Sequence, residues 1–342
     1  MGAETILLIA VVAVALIFDL LNGFHDGCNA VSCVIYTGAL KPRVAIAISA
    51  FFNFVGPLVV GVAVAETIGG VIDASQVAES PQLIIAALLG ACVWEILTWI
   101  WALPMSSSHA LVGGLLGAGL AALGTGGVHW NTVILVFASL LISPFLGIIT
   151  GYLLMRLSRF FFAKTKMSIV RADRFYRHMQ ILSSSWVSFS HGSNDATKVM
   201  GIIVIYLAAQ HGLGVKDYVV QEGFPLWVIL SCAAAMAIGT FLSVRSFRLI
   251  RTLGEKITKL HPINGFSAEV GGAIIIQVAS LLGLPVSTTH VVTSAVTGTG
   301  LASKLGGVSW KVFRAIMLAW AVTLPFCGIV AAIIYYLLDL VM

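Results

Sequence analysis

Long runs of apolar residues recur along the chain, separated by short polar stretches. The longest runs cover residues 6–21, 44–65, 83–103, 133–155, 226–244 and 312–338. Each is close to or above the ~20 residues that a helix needs to cross about 30 Å of hydrocarbon. The alternation typical of membrane β-strands does not appear in the sequence, and lipid offers backbone groups no partner outside a helix. The pattern predicts an all-α integral membrane protein.

Composition agrees with the hydropathy pattern. Hydrophobic residues make up 59% of the 342 and charged residues 10%, whereas soluble domains are about one quarter charged. The first apolar run has no basic segment before it and no cleavage pattern after it, so we interpret it as a membrane helix. The five cysteines lack metal-type spacing. We therefore expect a lipid bilayer as the surroundings, and neither a zinc site nor a disulfide framework.

The placement of cationic side chains predicts the topology. All nineteen Lys and Arg residues except Lys198 and Lys216 fall in four connections. These connections contain Lys41 and Arg43, then Arg156 to Arg177, then Arg245 to Lys259, and finally Lys304, Lys311 and Arg314. Basic connections face the cytoplasm. The pattern predicts a multi-pass protein of the cell membrane with both termini outside. Because nearly all the basic residues are confined to these connections, the net positive charge gives no reason to expect a nucleic-acid partner.

Threading the chain through these constraints gives two halves of opposite orientation. Residues 1–155 form a first repeat, residues 156–180 a basic cytoplasmic linker, and residues 181–342 a second, inverted repeat. In both repeats an interrupted helix comes first, over 5–40 and 181–210, and a returning helix follows, over 44–65 and 225–244. Helical hairpins over 82–125 and 267–302 come next, and final helices over 132–155 and 312–338 complete the halves.

Two short motifs occur once in each half, in the same order. Gly23-Phe-His-Asp-Gly-Cys-Asn-Ala30 aligns with Gly192-Ser-Asn-Asp-Ala-Thr-Lys-Val199, and Pro104-Met-Ser-Ser-Ser-His109 aligns with Pro285-Val-Ser-Thr-Thr-His290. Inverted repeats with polar interruptions at matching places are typical of secondary transporters whose site lies near the bilayer midplane.

Asp26 and Asp195 are the acidic residues of the first motif. Each lies in a glycine-containing stretch that we expect to break its helix, at a depth where an unpaired charge costs several kcal/mol. A cation or a proton would neutralise it. A broken helix also leaves backbone carbonyl oxygens without their helical partners. Together with carboxylate oxygens and neighbouring amide or hydroxyl oxygens, they make the all-oxygen coordination shell that a hard cation prefers. The alternative is that the carboxylates are structural and bond to neighbouring helices.

The second motif places hydroxyl groups at a helix start within the membrane. Proline ends the preceding helix, and Ser or Thr caps the following one. Unpaired N–H groups and the positive end of the helix dipole favour an anion, and hydroxyls add neutral donors. We predict that Ser107, Ser108, Thr288 and Thr289 line a site for phosphate or sulfate. The alternative is that they only cap their helices.

Several ionisable residues near these motifs have two interpretations. Lys198 lies one helical turn after Asp195 and either pairs with it or contacts the anion. Four histidines either support proton coupling or hydrogen-bond the backbone: His25, His109, His191 and His290. Glu95 and Glu269 lie in the hairpins at non-equivalent positions. Either could be a cation ligand, a histidine partner or a packing anchor.

Together the motifs resemble the inorganic phosphate transporter (PiT) family, sodium/phosphate symporters, over nearly the whole chain. The resemblance is carried by the two Asp motifs, by residues 37–43, 250–254 and 257–258, and by Pro285-Val-Ser-Thr-Thr-His290. It implies phosphate import, driven by sodium in many members and by protons in others, while some relatives carry sulfate. The first motif departs from the family pattern because His25 stands where Asn is usual, so His25 and Asn194 are not expected to act identically.

The resulting hypothesis is an importer of inorganic phosphate by symport with sodium, with alternating access about a site formed by both repeats. Sodium, which is transported and coupling, is expected at Asp26, Asn29, Asn194, Asp195, Ser106 and Ser287. Phosphate is expected at Ser107, Ser108, Thr288, Thr289, Thr197 and Lys198. No organic cofactor is expected, and a homodimer remains open. Proton-coupled phosphate or sulfate transport is the alternative.

Two other classes fit less well. An anion channel would also use half-helices, but buried carboxylates beside an oxyanion site suit tight binding better than rapid passage. Adjacent Ser and His residues invite a hydrolase interpretation. Because these pairs are duplicated and the paired Asp motifs would then have no role, we predict that the chain is not an enzyme.

Overall fold

The computed structural model describes residues 2–165, 167–303 and 307–341, and it forms fourteen α-helices within them. They are α1 (Ala3–Tyr36), α2 (Pro42–Val60), α3 (Ala63–Gly69), α4 (Ala74–Val77), α5 (Gln82–Ile100), α6 (Ser107–Leu123), α7 (Trp130–Thr165), α8 (Ile169–Gln210), α9 (Val215–Glu222), α10 (Leu226–Leu242), α11 (Phe247–Glu255), α12 (Pro262–Leu281), α13 (Thr288–Ala302) and α14 (Trp310–Asp339). No strand forms within these ranges. The all-α prediction is confirmed. Lys166 and Lys304, which the sequence assigns to basic connections, lie outside the described residues.

The helices form a membrane protein. Seven of those described are long and apolar enough to span a bilayer, namely α1, α2, α5, α6, α7, α10 and α14, and α8 passes together with α9 across an 82° bend. Large apolar side chains remain exposed on the outer faces, including Phe145 at 66% and Leu318 at 67%. Water would disfavour so large an apolar surface. Lipid does not disfavour an apolar surface, so the chain is a multi-pass membrane protein.

Helix packing follows the repeat that the motifs predict. Helix α2 packs on α8, and its counterpart α10 packs on α1. Likewise α7 packs on α13, and its counterpart α14 packs on α6. Each repeat therefore contributes helices to the other half, as two interlocked inverted repeats would. Most of the predicted linker 156–180 is helical, because α7 extends to Thr165 and α8 begins at Ile169. The boundaries at 155 and 181 stay predictions.

The Asp motifs do not interrupt their helices, contrary to our expectation. Both α1 and α8 run unbroken through them. The glycines allow close packing instead. A Cβ on Gly23 would lie 2.2 Å from the carbonyl oxygen of Met236, and one on Gly192 would lie 2.3 Å from that of Asn53. Glycine therefore lets α1 approach α10 and α8 approach α2, and the expected free carbonyls are absent from the described motifs.

The breaks lie at the tips of the two hairpins instead. Helix α5 ends at Ile100 and α6 begins at Ser107, while α12 ends at Leu281 and α13 begins at Thr288. Prolines lie in both connections. The side chains of Ser106 and Ser287 cap the new helices by accepting from the N–H groups of the histidines three residues later, at 3.2 Å each. Two helix N-termini thus lie inside the protein.

Candidate functional site

Asp26 joins the two hairpins to α1. The Oγ of Ser107 donates to Asp26 Oδ2 at 2.9 Å, and Thr289 Oγ1 donates to Asp26 Oδ1 at 3.1 Å. Ser107 belongs to the first hairpin and Thr289 to the second. All three side chains are buried. One carboxylate therefore receives a hydroxyl from each repeat, as the repeat alignment predicts for a shared site.

Asp195 has a similar position on α8 with an additional cation. Thr288 Oγ1 donates to Asp195 Oδ2 at 3.0 Å, and Lys198 Nζ donates to Asp195 Oδ1 at 2.5 Å. The same ammonium donates to Ser108 Oγ and to the carbonyl oxygen of Val286, at 2.6 Å each. Lys198 thus forms the ion pair with Asp195 that was one of its two interpretations, and it also bridges the tips of both hairpins.

The two asparagines behave differently. Asn29 Nδ2 donates to Thr289 Oγ1 at 2.7 Å and so belongs to the network around Asp26. Asn194 binds the second hairpin, because its Nδ2 donates to Ser280 Oγ at 3.0 Å and its Oδ1 accepts from the N–H of Val286 at 3.3 Å. Asn29 lies with the central hydroxyls, whereas Asn194 holds the turn between α12 and α13.

Three further predicted site residues make only local hydrogen bonds with their hydroxyls. Ser106 and Ser287 cap α6 and α13, and Ser106 Oγ also lies 2.8 Å from His109 Nδ1. Thr197 Oγ1 donates to the carbonyl oxygens one turn earlier on its own helix, at 2.8 and 2.9 Å. None of these three hydroxyls hydrogen-bonds to Asp26 or Asp195.

Each carboxylate also has an adjacent histidine. His25 Nδ1 lies 3.0 Å from Asp26 Oδ1, and His191 Nε2 lies 3.2 Å from Asp195 Oδ2. The alignment pairs His25 with Asn194 rather than with His191, so similar contacts come from non-equivalent positions. The rings of His109 and His290 lie 4.6 Å apart between the hairpins.

The centre of this network has the composition of a cation site. Ligand atoms of Asp26, Asp195 and His191 all lie within 4.8 Å of one another. Among the described residues Lys198 is the one buried Lys or Arg side chain. Two carboxylates therefore face one ammonium, and this excess negative charge favours a further cation. The sequence pointed to His191 as a residue for proton coupling or for hydrogen bonding to the backbone, and did not include it among the expected sodium ligands.

Sequence reasoning also missed Asp19 and Asn22, which extend Asp26 and Asn29 into a polar row on α1. Asp19, Asn22, Asp26 and Asn29 are all buried, and their spacing of three and four residues places them on one helical face. Periodicity within an apolar run would have revealed them. Asn53 was missed as well. Asn53 Oδ1 accepts from the Nδ1–H of His191 at 2.7 Å, and Asn53 Nδ2 donates to Thr240 Oγ1 at 3.1 Å.

A buried ionic network where two hairpin tips meet, inside a multi-pass helical fold, is the arrangement of a membrane transporter. The chain belongs to the phosphate transporter family, which it matches over residues 22–331. The resemblance noted from the motifs is confirmed. Because the members of this family are transporters, the prediction that the chain is not an enzyme is confirmed as well.

Individual relatives match nearly the full length. A protein of Rhizobium meliloti described as a "Probable low-affinity inorganic phosphate transporter" is 43% identical, with 98% of this chain and 97% of the relative aligned. A Bacillus subtilis protein with the same description is 37% identical, with 98% of both chains aligned. A solved structure called "The sodium-dependent phosphate transporter" superposes with a TM-score of 0.84 at 26% identity, covering 98% of this chain and 100% of the other.

Proposed function

We propose that this phosphate transporter imports inorganic phosphate by symport with sodium. One observation carries the proposal: Asp26 and Asp195, one from each repeat, hold hydroxyls at the tips of both hairpins. The description of the structural relative as sodium-dependent supports the choice of cation.

The proposed phosphate position lies at the N-termini of α6 and α13. Helix N-termini favour anions through their N–H groups and dipole. Ser107, Ser108, Thr288 and Thr289 supply hydroxyl donors, and Lys198 supplies a positive charge. All five side chains are at most 4% exposed. Hydrogen bonds to an anion gain strength where water is excluded.

The same hydroxyls explain how a cation would promote phosphate binding. Each hydroxyl has one proton to donate, and those of Ser107, Thr288 and Thr289 point to carboxylates. A sodium ion on the carboxylates would satisfy those oxygens and release the hydroxyl protons for phosphate. Cation binding and phosphate binding are then coupled through shared donors rather than through attraction alone.

Electrical balance points to more than one cation. Phosphate near neutral pH is an anion and is repelled by the inside-negative membrane potential, so at least two cations make import favourable. We infer that Asp26 and Asp195, with Asn29 and His191 close by, are the main sodium ligands. The interlocked packing of the repeats supports alternating access, in which they rock about this site.

Uptake of radiolabelled phosphate by the purified protein in liposomes tests the proposal. At fixed pH, an inward sodium gradient should raise the initial rate several-fold over equal sodium on both sides, and excess sulfate should compete weakly. Uptake that ignores the sodium gradient would refute sodium coupling. Equal competition by sulfate would refute selectivity for phosphate.

A further inference from the structure

A pocket of about 300 Å³ lies where four helices meet, at ends that the positive-inside rule assigns to the cytoplasm. Its walls come from α7, α8, the first turn of α12 and Ser303, the residue that follows α13. Most of the lining is apolar and includes Met155 and Phe162, whereas Arg159 and Asn264 are polar members of it. An apolar pocket with a few placed polar groups is the usual form of a ligand site.

Asn264 is a buried amide without a partner. Its side chain is 2% exposed and lines the pocket. Within the part of the chain that the structure describes, neither its Nδ2 nor its Oδ1 makes a hydrogen bond. Buried polar side chains nearly always have a hydrogen-bond partner. This amide therefore indicates a polar ligand in the pocket.

The first turn of α12 adds unpaired N–H groups beside that amide. Helix α12 begins at Pro262, and His261 before it provides no side-chain cap. The N–H groups of Ile263 and Asn264 precede that of Gly265, which bonds to the carbonyl oxygen of His261 at 3.0 Å. Residues 262–264 all line the pocket. Free N–H groups at a helix start favour an anion.

Arg159 supplies a positive charge with donors to spare. One of its five N–H donors bonds to the carbonyl oxygen of Ala302 at 2.7 Å. Asp173 is the acidic residue of the lining, and it is held by Arg177, whose Nε lies 2.9 Å from Asp173 Oδ2. Arg159 therefore keeps donors for a ligand. A guanidinium, an amide and a helix start together suit a phosphate group.

The depth of the pocket matches that of lipid headgroups. Trp130, at the first turn of α7, is 46% exposed, and exposed tryptophans of membrane helices are enriched at the interface. A rise of 1.5 Å per residue places Arg159 about 44 Å further along the same helix. A bilayer with its headgroups is about 40–45 Å thick. Arg159 thus lies at the level of the inner headgroups, and Met155 lies one turn nearer the hydrocarbon.

The surface around the pocket is both basic and apolar. Residues 156–177 contain seven Lys and Arg residues and one acidic residue, Asp173. Phe161 and Ile169 are 55% and 80% exposed. A mainly apolar groove of about 530 Å³ adjoins the pocket and shares Phe162 with it. Water disfavours such an apolar surface, whereas the surface of an anionic membrane suits both features.

We propose that the pocket binds an anionic phospholipid of the inner leaflet, with its phosphate at Arg159, Asn264 and the first turn of α12. One acyl chain follows Met155 and Phe162, and the adjoining groove takes the other. The inference goes beyond phosphate transport, because it names a lipid partner and does not depend on which ion is coupled.

The bound lipid would connect the two predicted repeats. Helix α7 comes from the first repeat, and α8, α12 and α13 come from the second. Ala302, which accepts from Arg159, is the last residue of α13, and Thr288 at the proposed phosphate position is the first. The lipid therefore holds one end of the helix whose other end faces phosphate.

Native mass spectrometry of the purified protein in detergent measures lipid binding directly. Dioleoyl phosphatidylglycerol is titrated against the wild type and against Arg159→Gln. The wild type should retain one phosphatidylglycerol molecule at low lipid concentration. Arg159→Gln should raise the dissociation constant about tenfold, because it removes hydrogen bonds between a guanidinium and the lipid phosphate.

Arg174→Gln is the matched control. It removes the same charge from the same connection, but Arg174 is exposed and takes no part in the lining. Its dissociation constant should stay close to that of the wild type. Equal effects of the two variants would show that general attraction to basic residues, and not the pocket, accounts for binding, and would overturn the proposal.

Two further ligands identify what the pocket recognises. Dioleoyl phosphatidylcholine has the same chains without net charge and should bind more weakly, so equal affinity would contradict recognition of an anionic headgroup. Inorganic phosphate in large excess should leave phosphatidylglycerol bound. Displacement of the lipid by inorganic phosphate would mean that the pocket takes free phosphate, and the lipid proposal would be wrong.

Photo-crosslinking of the wild type keeps the proposal testable if Arg159→Gln does not fold. Phosphatidylglycerol with a photoactivatable group on the acyl chain, close to the headgroup, is bound and illuminated, and the labelled peptides are identified. Label should concentrate on residues 155–162 and 261–264. Label confined to other helices would overturn the proposal.

Discussion

At the residue scale, the proposed site depends on competition between carboxylates and phosphate for a few hydroxyl protons. Thr288 and Ser107 each donate to one aspartate, and Thr289 joins Asp26 to Asn29. The hydroxyls satisfy the carboxylates, and in the proposed function they are also the donors to phosphate. Removing one should therefore weaken phosphate binding without abolishing the fold.

Thr288→Val tests this role. Hydrogen bonds to charged groups contribute about 1.5–3 kcal/mol, so we expect KM for phosphate uptake to rise about tenfold or more. Thr299→Val is the matched control, because Thr299 lies on the same helix, is equally buried, and donates only to the carbonyl oxygen of Val296. An equal KM in the two variants would contradict the assignment.

The two aspartates should differ in their effect on stability. Asp195 pairs with Lys198, whereas Asp26 receives hydroxyl groups. Breaking a buried ion pair from one side costs about 3–5 kcal/mol because a charge stays uncompensated. Thermal unfolding in detergent should therefore occur at a lower temperature for Asp195→Asn than for Asp26→Asn.

The variant that lacks both partners is the control for that comparison. Adding Lys198→Met to Asp195→Asn removes the uncompensated ammonium and should recover most of the lost stability. No recovery, or equal destabilisation by the two aspartate variants, would show that the ion pair is not what distinguishes them.

Much of this network could be predicted from residue types, but not all of it. The duplicated motifs led to Asp26, Asp195, Ser107 and Thr288, and the structure brings them together. Asn194 and Thr197 were placed by the same motifs, yet their side chains bond elsewhere. A motif fixes which residues lie near a site, while rotation about the helix axis decides which of them face it.

At the element scale, the glycines of the Asp motifs pack helices rather than interrupt them. Sequence reasoning gave glycine its helix-breaking role, because glycine has low helix propensity. Inside a bundle, absence of a Cβ lets two backbones approach, and this packing outweighs the propensity. The hairpin tips were placed correctly because each proline there is followed closely by hydroxyl residues that can cap a new helix. Proline alone does not end a helix in this protein, since α2, α7 and α14 continue through Pro57, Pro144 and Pro325.

Gly192→Ala tests the packing role. The new Cβ would lie 2.3–2.8 Å from backbone atoms of Asn53, so α2 and α8 must separate. Overpacking costs about 1–3 kcal/mol, and thermal unfolding in detergent should shift downward accordingly. Gly126→Ala is the control, since no atom lies within 4 Å of its added Cβ. Similar midpoint temperatures of thermal unfolding for both variants would indicate that α8 does not need the glycine for its packing on α2.

At the scale of the whole molecule, hydropathy and charge predicted the all-helical membrane fold, and the two motif pairs predicted the repeat. The sequence could not show that each half packs its second and last helices on the other half, because contacts between distant segments leave no local pattern. This interlocking places the proposed site at the junction of the repeats. The orientation in the membrane still rests on the positive-inside rule.

Cysteine labelling in intact cells tests that orientation. The five native cysteines are buried and should react little with an impermeant maleimide. Ala78→Cys, in the connection before α5, should label from outside, whereas Ala163→Cys, near the end of α7, should label only after permeabilisation. Both positions are exposed. The reverse pattern would invert the proposed topology.

The central claim is that both repeats build one site in which a cation and phosphate bind together. Equilibrium binding of radiolabelled phosphate to the purified protein, as a function of sodium concentration, tests it most directly. We predict that sodium raises phosphate affinity at least tenfold in the wild type, and that Asp26→Asn and Asp195→Asn each remove this dependence. Affinity independent of sodium in the wild type, or a full sodium response in either variant, would contradict the account.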